Sequence, residues 1–214
     1  EKQIDFLKEL IFNPWTNEDG SFKEPLIEEA KNNLKALIDR KKDNPSSNAM
    51  DEACRLMGKD QPLAISNLGT KEIVDSITAD ELLNEYRSML EKDAPEIFVV
   101  GDFNEERAEK LIKAKLPLNY KDESQQVTYQ TVCDENREEN KKRAISQTTC
   151  VVLALTNTTI ADEDYWAMRV GNGLFGQLPT SFLFQEIREK RSLCYSIYSS
   201  MLSYDGVLSI ICGI

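Results

Sequence analysis

The sequence predicts an α+β fold in which antiparallel strands are covered by helices. Two kinds of apolar pattern support this class. Apolar residues recur at spacings of three and four over residues 25–42, as they do in an amphipathic helix. Short apolar runs rich in β-branched residues occur at 96–101 and 148–156, and such runs are typical of strands. With 41% hydrophobic and 29% charged residues, the 214-residue chain is expected to form one or two compact cores.

Composition narrows the class of protein. The net charge of −11 argues against nucleic-acid binding, which normally requires a basic face. No run approaches the roughly eighteen apolar residues of a membrane span, and the first residues lack the charged-then-apolar order of a signal peptide. The odd number of scattered cysteines favours a reduced, cytoplasmic protein over a disulfide scaffold, and their spacings fit no structural zinc site. These cysteines are at positions 54, 133, 150, 194 and 212.

The first part of the chain is predicted to be mostly helical. Pro25 suits the first turn of a long helix that Asn44 and Pro45 end. Thr78 and Glu81 have the spacing of a capping box that opens a helix reaching about residue 91. Asn104 is the expected N-cap of another helix, which reaches about residue 115. Further helices are expected at 3–12, at 48–57 and just after Thr70, and the apolar run at 96–101 is expected to be a strand.

The second part of the chain follows a charged, aperiodic stretch at 118–142, which predicts a solvated linker. Residues 148–156 are then predicted to form a core strand. Thr159 or Asp162 is the expected N-cap of the next helix, and two strands are expected after the helix that contains Arg188.

The most informative segment runs from Ser181 to Tyr195. It begins as an amphipathic helix whose last turn is charged, and it passes into residues of strand composition. Arg188 is therefore expected at a helix end and Tyr195 at the entry to a strand. A planar cation held close to a phenol is suited to binding a carbonyl or a backbone amide. The alternative from these residues alone is a solvated helix-end cation, favoured by the helix dipole, beside an ordinary sheet tyrosine.

This segment resembles the C-terminal half of the pitrilysin/insulinase family of inverted-motif zinc peptidases. That family has a Leu-Phe…Arg-Glu-Lys-x-x-Leu-x-Tyr segment, and Arg188 and Tyr195 fall on its Arg and Tyr at the family spacing. The run Gly171–Gly176 upstream and the stretch Tyr204–Gly213 downstream also match. The resemblance implies a processing-peptidase-like fold, built from α/β sandwich halves, in a bacterial protein. It also implies that Arg188 and Tyr195 help to hold a peptide substrate.

The zinc site of the family is missing from these residues. Its signature is His-x-x-Glu-His on a helix, where two imidazoles bind zinc and the Glu activates water, and this chain has no histidine. A later Glu completes the site in active members. In this sequence Ala30 and Lys31 stand where the family has Glu followed by a basic residue, and Leu37 stands at the ligand position. Because an aliphatic side chain cannot bind zinc, the resemblance implies a degenerate member without a metal of its own.

The resemblance also implies a domain organisation and partners. Residues 1–118 are expected to form the rear half of a first peptidase-like domain, 119–143 a charged linker, and 144–214 the front half of a second domain. The segment would be the middle of a longer protein. A non-catalytic subunit would bind a peptide or small protein and pair with a homologous catalytic subunit or dimer partner. Two alternatives stay open, namely part of an active zinc endopeptidase whose metal motif lies upstream, and a non-proteolytic interaction scaffold.

Overall fold

The computed structural model describes residues 2–120, 128–144 and 146–214, and it has the α+β composition that the sequence predicts. The chain divides into two compact units. Unit 1 contains the described residues of 1–34 and 71–125, and unit 2 contains those of 35–70 and 126–214. These units do not coincide with the domains expected from the sequence, whose boundaries stay a prediction. Within the described residues, no helix combines the length and the hydrophobicity that crossing a bilayer requires.

Unit 1 is built from helices around a small apolar core. Its buried side chains are Ile27, Val74 and Leu116. Helix packing is reinforced by Tyr86, whose hydroxyl donates to the Ile11 carbonyl at 2.5 Å. The helices are α1 (Lys2–Phe12), the first part of α2 (Glu24–Asp43), α4 (Lys71–Ser76), α5 (Ala79–Lys92) and α6 (Glu105–Lys115).

Local capping explains where α5 and α6 begin. Thr78 accepts from the Glu81 backbone N–H at 3.2 Å, and Glu81 accepts from the Thr78 N–H at 2.9 Å, which is the predicted capping box. Asn104 accepts from the Arg107 N–H at 2.9 Å and opens α6, also as predicted. Both caps are interactions between residues three apart, so the sequence alone was sufficient to locate them.

The strand predicted at 96–101 does not form, and this prediction is wrong for the structure described. Residues 94–100 have no regular secondary structure. Phe98 and Val100 are 86% and 98% exposed, although both are apolar. A strand requires a neighbouring strand for its backbone hydrogen bonds, and no strand pairs with these residues among those that the structure describes.

Unit 2 contains a three-stranded antiparallel sheet. Its strands are β1 (Thr149–Leu155), β2 (Ser196–Leu202) and β3 (Val207–Gly213), in the order β1-β3-β2. The register pairs Val151 with Ile211 in one ladder and Tyr198 with Ile211 in the other. β2 and β3 form a hairpin whose turn ends at Gly206, which has a positive φ of 63°. The central strand supplies the buried side chains Val207, Ser209 and Ile211.

Two helical layers pack on this sheet. α3 (Pro45–Gly58) contacts β1 and β3. α7 (Tyr165–Asn172) and the π-helical turn Gly173–Gln177 that continues it contact β2. A second π-helical turn covers Phe184–Glu189 and also contacts β2, and a 3₁₀ turn lies at Pro62–Ala64.

The start of α7 differs from the prediction. Asp162 accepts from both the backbone N–H and the hydroxyl of Thr159, each at 2.7 Å. These bonds close a separate turn before the helix, which begins at Tyr165. The backbone N–H and hydroxyl of Thr159 also lower the pKa of Asp162. Thr159 and Asp162 therefore order the approach to α7 without capping it.

The charged stretch predicted to be a solvated linker is bonded to α3 over its described part. Arg137 donates to the carbonyls of Leu56 and Met57 at 2.8 and 2.9 Å. Arg143 donates to the Lys42 carbonyl and to the Asn48 side chain, both at 3.1 Å. Composition could not reveal these bonds, because they join residues that are 80 to 101 positions apart.

Candidate functional site

Arg188 and Tyr195 are brought together by a tight reversal of the chain. Arg188 lies in the π-helical turn Phe184–Glu189, and Tyr195 immediately precedes β2. Between them, Ser192 adopts a left-handed conformation with φ of 51°. The N–H groups of Ser192 and Leu193 donate to the carbonyls of Arg188 and Ile187, each at 3.1 Å. These bonds end the helix and turn the chain back toward the Arg188 side chain.

Arg188 is held by three interactions. Its Nε donates to the Tyr195 carbonyl at 2.9 Å, and its Nη1 donates to Glu189 Oε1 at 3.1 Å. The guanidinium carbon also lies 4.7 Å from the centre of the Phe184 ring. The side chain is 38% exposed, so the Glu189 ion pair is largely solvated and contributes little stability. Nη2 has no hydrogen-bond partner within the described residues.

Tyr195 is held through its backbone and not through its phenol. Its N–H donates to the Gly213 carbonyl at 2.8 Å, and its own carbonyl accepts from Arg188. The residue is 76% exposed. In the part of the chain that the structure describes, its hydroxyl makes no hydrogen bond. The sequence predicted a cation close to a phenol, whereas the direct bond joins the cation to the tyrosine backbone.

The surface behind this pair is tightly packed. A side chain at Gly176 would place its Cβ 2.8 Å from both Ser199 Cβ and Leu183 Cδ1, so only glycine fits there. Next to it, the buried Ser199 hydroxyl donates to Asn172 Oδ1 at 2.5 Å. The Gly171–Gly176 run was the sequence signal for this contact, but the sequence did not show which glycine meets the sheet.

The residues of this chain do not fit the zinc site of active pitrilysin-type peptidases. The sequence has no histidine. Leu37, at the position of the third ligand, is 48% exposed on α2 and is not the core residue that its helical spacing suggested. Among the described residues, no group of three or more His, Cys, Asp or Glu side chains is placed to hold a metal ion.

Comparison with known proteins identifies the family. Residues 76–214 match the model of the peptidase M16 inactive domain. The chain belongs to the peptidase M16 family. The family resemblance inferred from the segment around Arg188 and Tyr195 is thereby confirmed.

Two curated bacterial relatives are similar to this M16 chain. It is 31% identical over 224 residues to a protein of Bacillus subtilis (strain 168) named "Probable inactive metalloprotease YmfF", covering 100% of the chain and 50% of the relative. It is 30% identical over 164 residues to an uncharacterized zinc protease of Streptomyces coelicolor, covering 73% of the chain and 36% of that relative. The chain thus spans half or less of the length of these curated relatives.

Solved structures share the fold of this M16 chain. A conserved protein from Enterococcus faecalis V583 matches with a TM-score of 0.83 and 30% identity, over 100% of this chain and 50% of the other. A peptidase M16 inactive domain from Pseudomonas fluorescens matches with a TM-score of 0.74 and 22% identity, over 99% of this chain and 50% of the other. The predicted α+β fold with an antiparallel sheet covered by helices is confirmed.

Proposed function

We propose that this chain is part of a non-catalytic M16 subunit that binds peptides through Arg188 and Tyr195. The observation that carries the proposal is the state of these two side chains. Arg188 is fixed by the Tyr195 carbonyl at 2.9 Å and by Phe184, while its Nη2 has no partner among the described residues. The neighbouring phenol is 76% exposed. One fixed cationic donor and one exposed hydroxyl are thus presented by adjacent parts of the chain.

The chemistry of these groups suits an extended peptide. A peptide offers carbonyl oxygens that are not used in secondary structure, and a guanidinium donates to such oxygens in a defined direction. The tyrosine hydroxyl can donate to a second carbonyl or accept from an N–H, and its ring adds apolar contact. Because Arg188 is already held in place, less rotamer entropy is lost when it binds. π-helical turns such as the one containing Arg188 are often found at functional sites.

The proposed partner is a homologous catalytic subunit. The matching family model describes an inactive domain, and the Bacillus relative is named as an inactive metalloprotease. A chain without histidine cannot supply the zinc-binding imidazoles, so proteolysis would require another subunit. We place this activity in the cytoplasm, since all five cysteines are free thiols in the structure.

Substitution of the two residues tests the peptide-binding proposal. Fluorescence anisotropy with fluorescein-labelled casein measures the affinity of the purified protein for an unfolded polypeptide. Arg188→Ala is expected to weaken binding by about tenfold or more, because a charge-assisted hydrogen bond contributes about 1.5–3 kcal/mol. Tyr195→Phe removes only a hydroxyl, so we expect a loss of roughly twofold to tenfold.

Arg191→Ala is the matched control. Arg191 is exposed, lies three residues from Arg188 and carries the same charge. If Arg191→Ala weakens binding as much as Arg188→Ala does, general electrostatic attraction explains the affinity and the proposed site is wrong. Melting temperatures of all three variants should stay close to that of the wild type, so that loss of binding is not loss of fold.

An active zinc endopeptidase is the second candidate. The observation in its favour is the Streptomyces relative, which is named a zinc protease. Leu37 and the missing histidines oppose it for these residues. A third candidate, an interaction scaffold, would bind a partner subunit but show no affinity for casein. Casein binding therefore separates the first proposal from the scaffold, and zinc content separates it from the endopeptidase.

A further inference from the structure

Three of the five cysteines converge at one end of the sheet in unit 2. Cys212 lies near the end of β3, and the register places Cys150 of β1 directly opposite it. Cys194, in the loop before β2, forms a side-chain hydrogen bond with Cys212. The other two thiols lie elsewhere, Cys54 in α3 and Cys133 bonded to the Glu135 carbonyl at 3.2 Å. These positions come from the strand register and are not apparent from sequence spacing.

The geometry favours Cys194 over Cys150 as the partner of Cys212. Thr148 and Ile214 exchange both backbone hydrogen bonds, at 3.1 and 2.8 Å. Because hydrogen-bonded pairs alternate along an antiparallel ladder, Cys150 and Cys212 also form such a pair. The Cβ atoms of such a pair stand about 5.5 Å apart, whereas a disulfide requires roughly 3.5–4.5 Å. Cys194 is not fixed in a strand, and its thiol already contacts that of Cys212.

We propose that Cys194 and Cys212 are an oxidation site at which a peroxide forms a disulfide. In the first step the Cys194 thiolate attacks hydrogen peroxide, the O–O bond breaks, and a sulfenic acid and hydroxide form. In the second step the Cys212 sulfur attacks the Cys194 sulfur and displaces hydroxide. Together, two thiols and one peroxide give one disulfide and two waters, so the sulfurs are oxidised and the peroxide is reduced.

The surroundings of the two thiols assign their order of reaction. Burial and the contact with Cys194 raise the pKa of Cys212 to about 11. Cys212 therefore stays a thiol near neutral pH and is a poor nucleophile toward peroxide. It acts as the resolving cysteine, and its proton passes to the departing hydroxide. Placement of an oxidisable thiol beside a resolving one is the usual arrangement of a redox-sensing pair.

The disulfide would tie the Arg188 contact to the central strand. Cys194 directly precedes Tyr195, whose carbonyl accepts from Arg188 at 2.9 Å. The segment is otherwise joined to β3 at this point by the bond from the Tyr195 N–H to the Gly213 carbonyl. Formation of the disulfide does not depend on peptide binding, so failure of one proposal leaves the other standing.

Mass spectrometry of the peroxide-treated protein tests the disulfide. Trypsin does not cut between Ser192 and Ile214, so both thiols remain in one tryptic peptide. After treatment with hydrogen peroxide, that peptide should lose the mass of two hydrogens and resist alkylation until it is reduced. Chymotrypsin, which cuts after the tyrosines between the two cysteines, should yield two fragments joined by the disulfide. Linkage of Cys150 to Cys212, or oxidation of each thiol without linkage, would overturn the assignment.

Two cysteine variants complete the experiment. Cys194→Ser should leave Cys212 alkylatable after peroxide treatment, and Cys133→Ser should leave the Cys194–Cys212 linkage unchanged. Circular dichroism before oxidation checks that both variants are folded. The wild-type result alone decides whether the disulfide forms, so a folding defect in Cys194→Ser does not remove the test.

Discussion

At the scale of single residues, the structure shows how close packing restricts a position without any sign of it in local propensity. Gly176 lies where the helical layer meets β2, and a methyl group there would overlap Ser199 and Leu183. Gly171, five residues earlier in the same run, has open space at the corresponding position. The two glycines look alike in the sequence but have different roles in the fold.

These two glycines give a matched pair of alanine variants. Gly176→Ala should lower the free energy of unfolding by about 1–3 kcal/mol, because the added methyl forces the helical layer away from β2. Gly171→Ala should leave it unchanged or raise it by up to about 1 kcal/mol, because alanine favours the helix and meets no neighbour. Urea denaturation measures both. Equal effects of the two changes would show that helix propensity, and not contact with Ser199, governs position 176.

At the scale of elements, the charged segment after the masked stretch behaves as part of the unit that contains α3. The carbonyls at the end of a helix lack intrahelical partners, and Arg137 supplies donors to two of them, those of Leu56 and Met57. Arg143 does the same for α2 at the Lys42 carbonyl. Lys141 bonds Glu52 at 2.6 Å, and that hydrogen bond is the main cause of the lowered pKa of Glu52. Cations in this segment therefore satisfy helix ends and helix carboxylates.

Removal of Arg137 tests this view of the segment. The Arg137 side chain is only 17% exposed and makes two bonds to carbonyls, so Arg137→Ala should lower the free energy of unfolding by about 1–3 kcal/mol. Lys142→Ala, an exposed neighbour, should change it by less than about 0.5 kcal/mol. Thermal denaturation gives both values.

Limited trypsin digestion supplies an independent readout of the same prediction. Cleavage after Arg137 should be slow in the wild type and faster in the Lys-for-Ala control only if that control also unfolds. Rapid cleavage after Arg137 in the folded wild type would support the solvated linker that composition predicts.

At the scale of the whole molecule, the chain has the fold of an M16 inactive domain and spans half or less of its curated relatives. The net charge of −11 keeps such a surface unsuited to polyanions. Apolar side chains at 97–100 remain 41–98% exposed. Catalysis by zinc would need ligands that the 214 residues do not contain.

Zinc content is the prediction that belongs to this scale. The chain should bind no stoichiometric zinc after dialysis against zinc-containing buffer, because Leu37 and the missing histidines leave no suitable ligand set. Elemental analysis by plasma mass spectrometry measures the metal content per chain. One tightly held zinc per chain would contradict the degenerate reading and favour the endopeptidase.

The sequence by itself determined the elements that depend on neighbouring residues. The capping box at Thr78 and the N-cap at Asn104 act over three positions, so pattern alone located α5 and α6. The composition of 148–156 likewise indicated β1, and the Arg188–Tyr195 segment indicated the family. These features are encoded locally, and local propensity agrees with the fold at each of them.

Only the tertiary structure decided the features that depend on distant residues. Residues 96–100 have strand composition but form no strand in the described structure, because backbone pairing needs a second segment. Register brings Cys150 to Cys212, and the path of the chain joins Arg188 to a carbonyl and not to a phenol. Arg137 bonds α3 from about eighty residues away. Each of these contacts follows from how the backbone is routed in space, which residue type and local spacing do not specify.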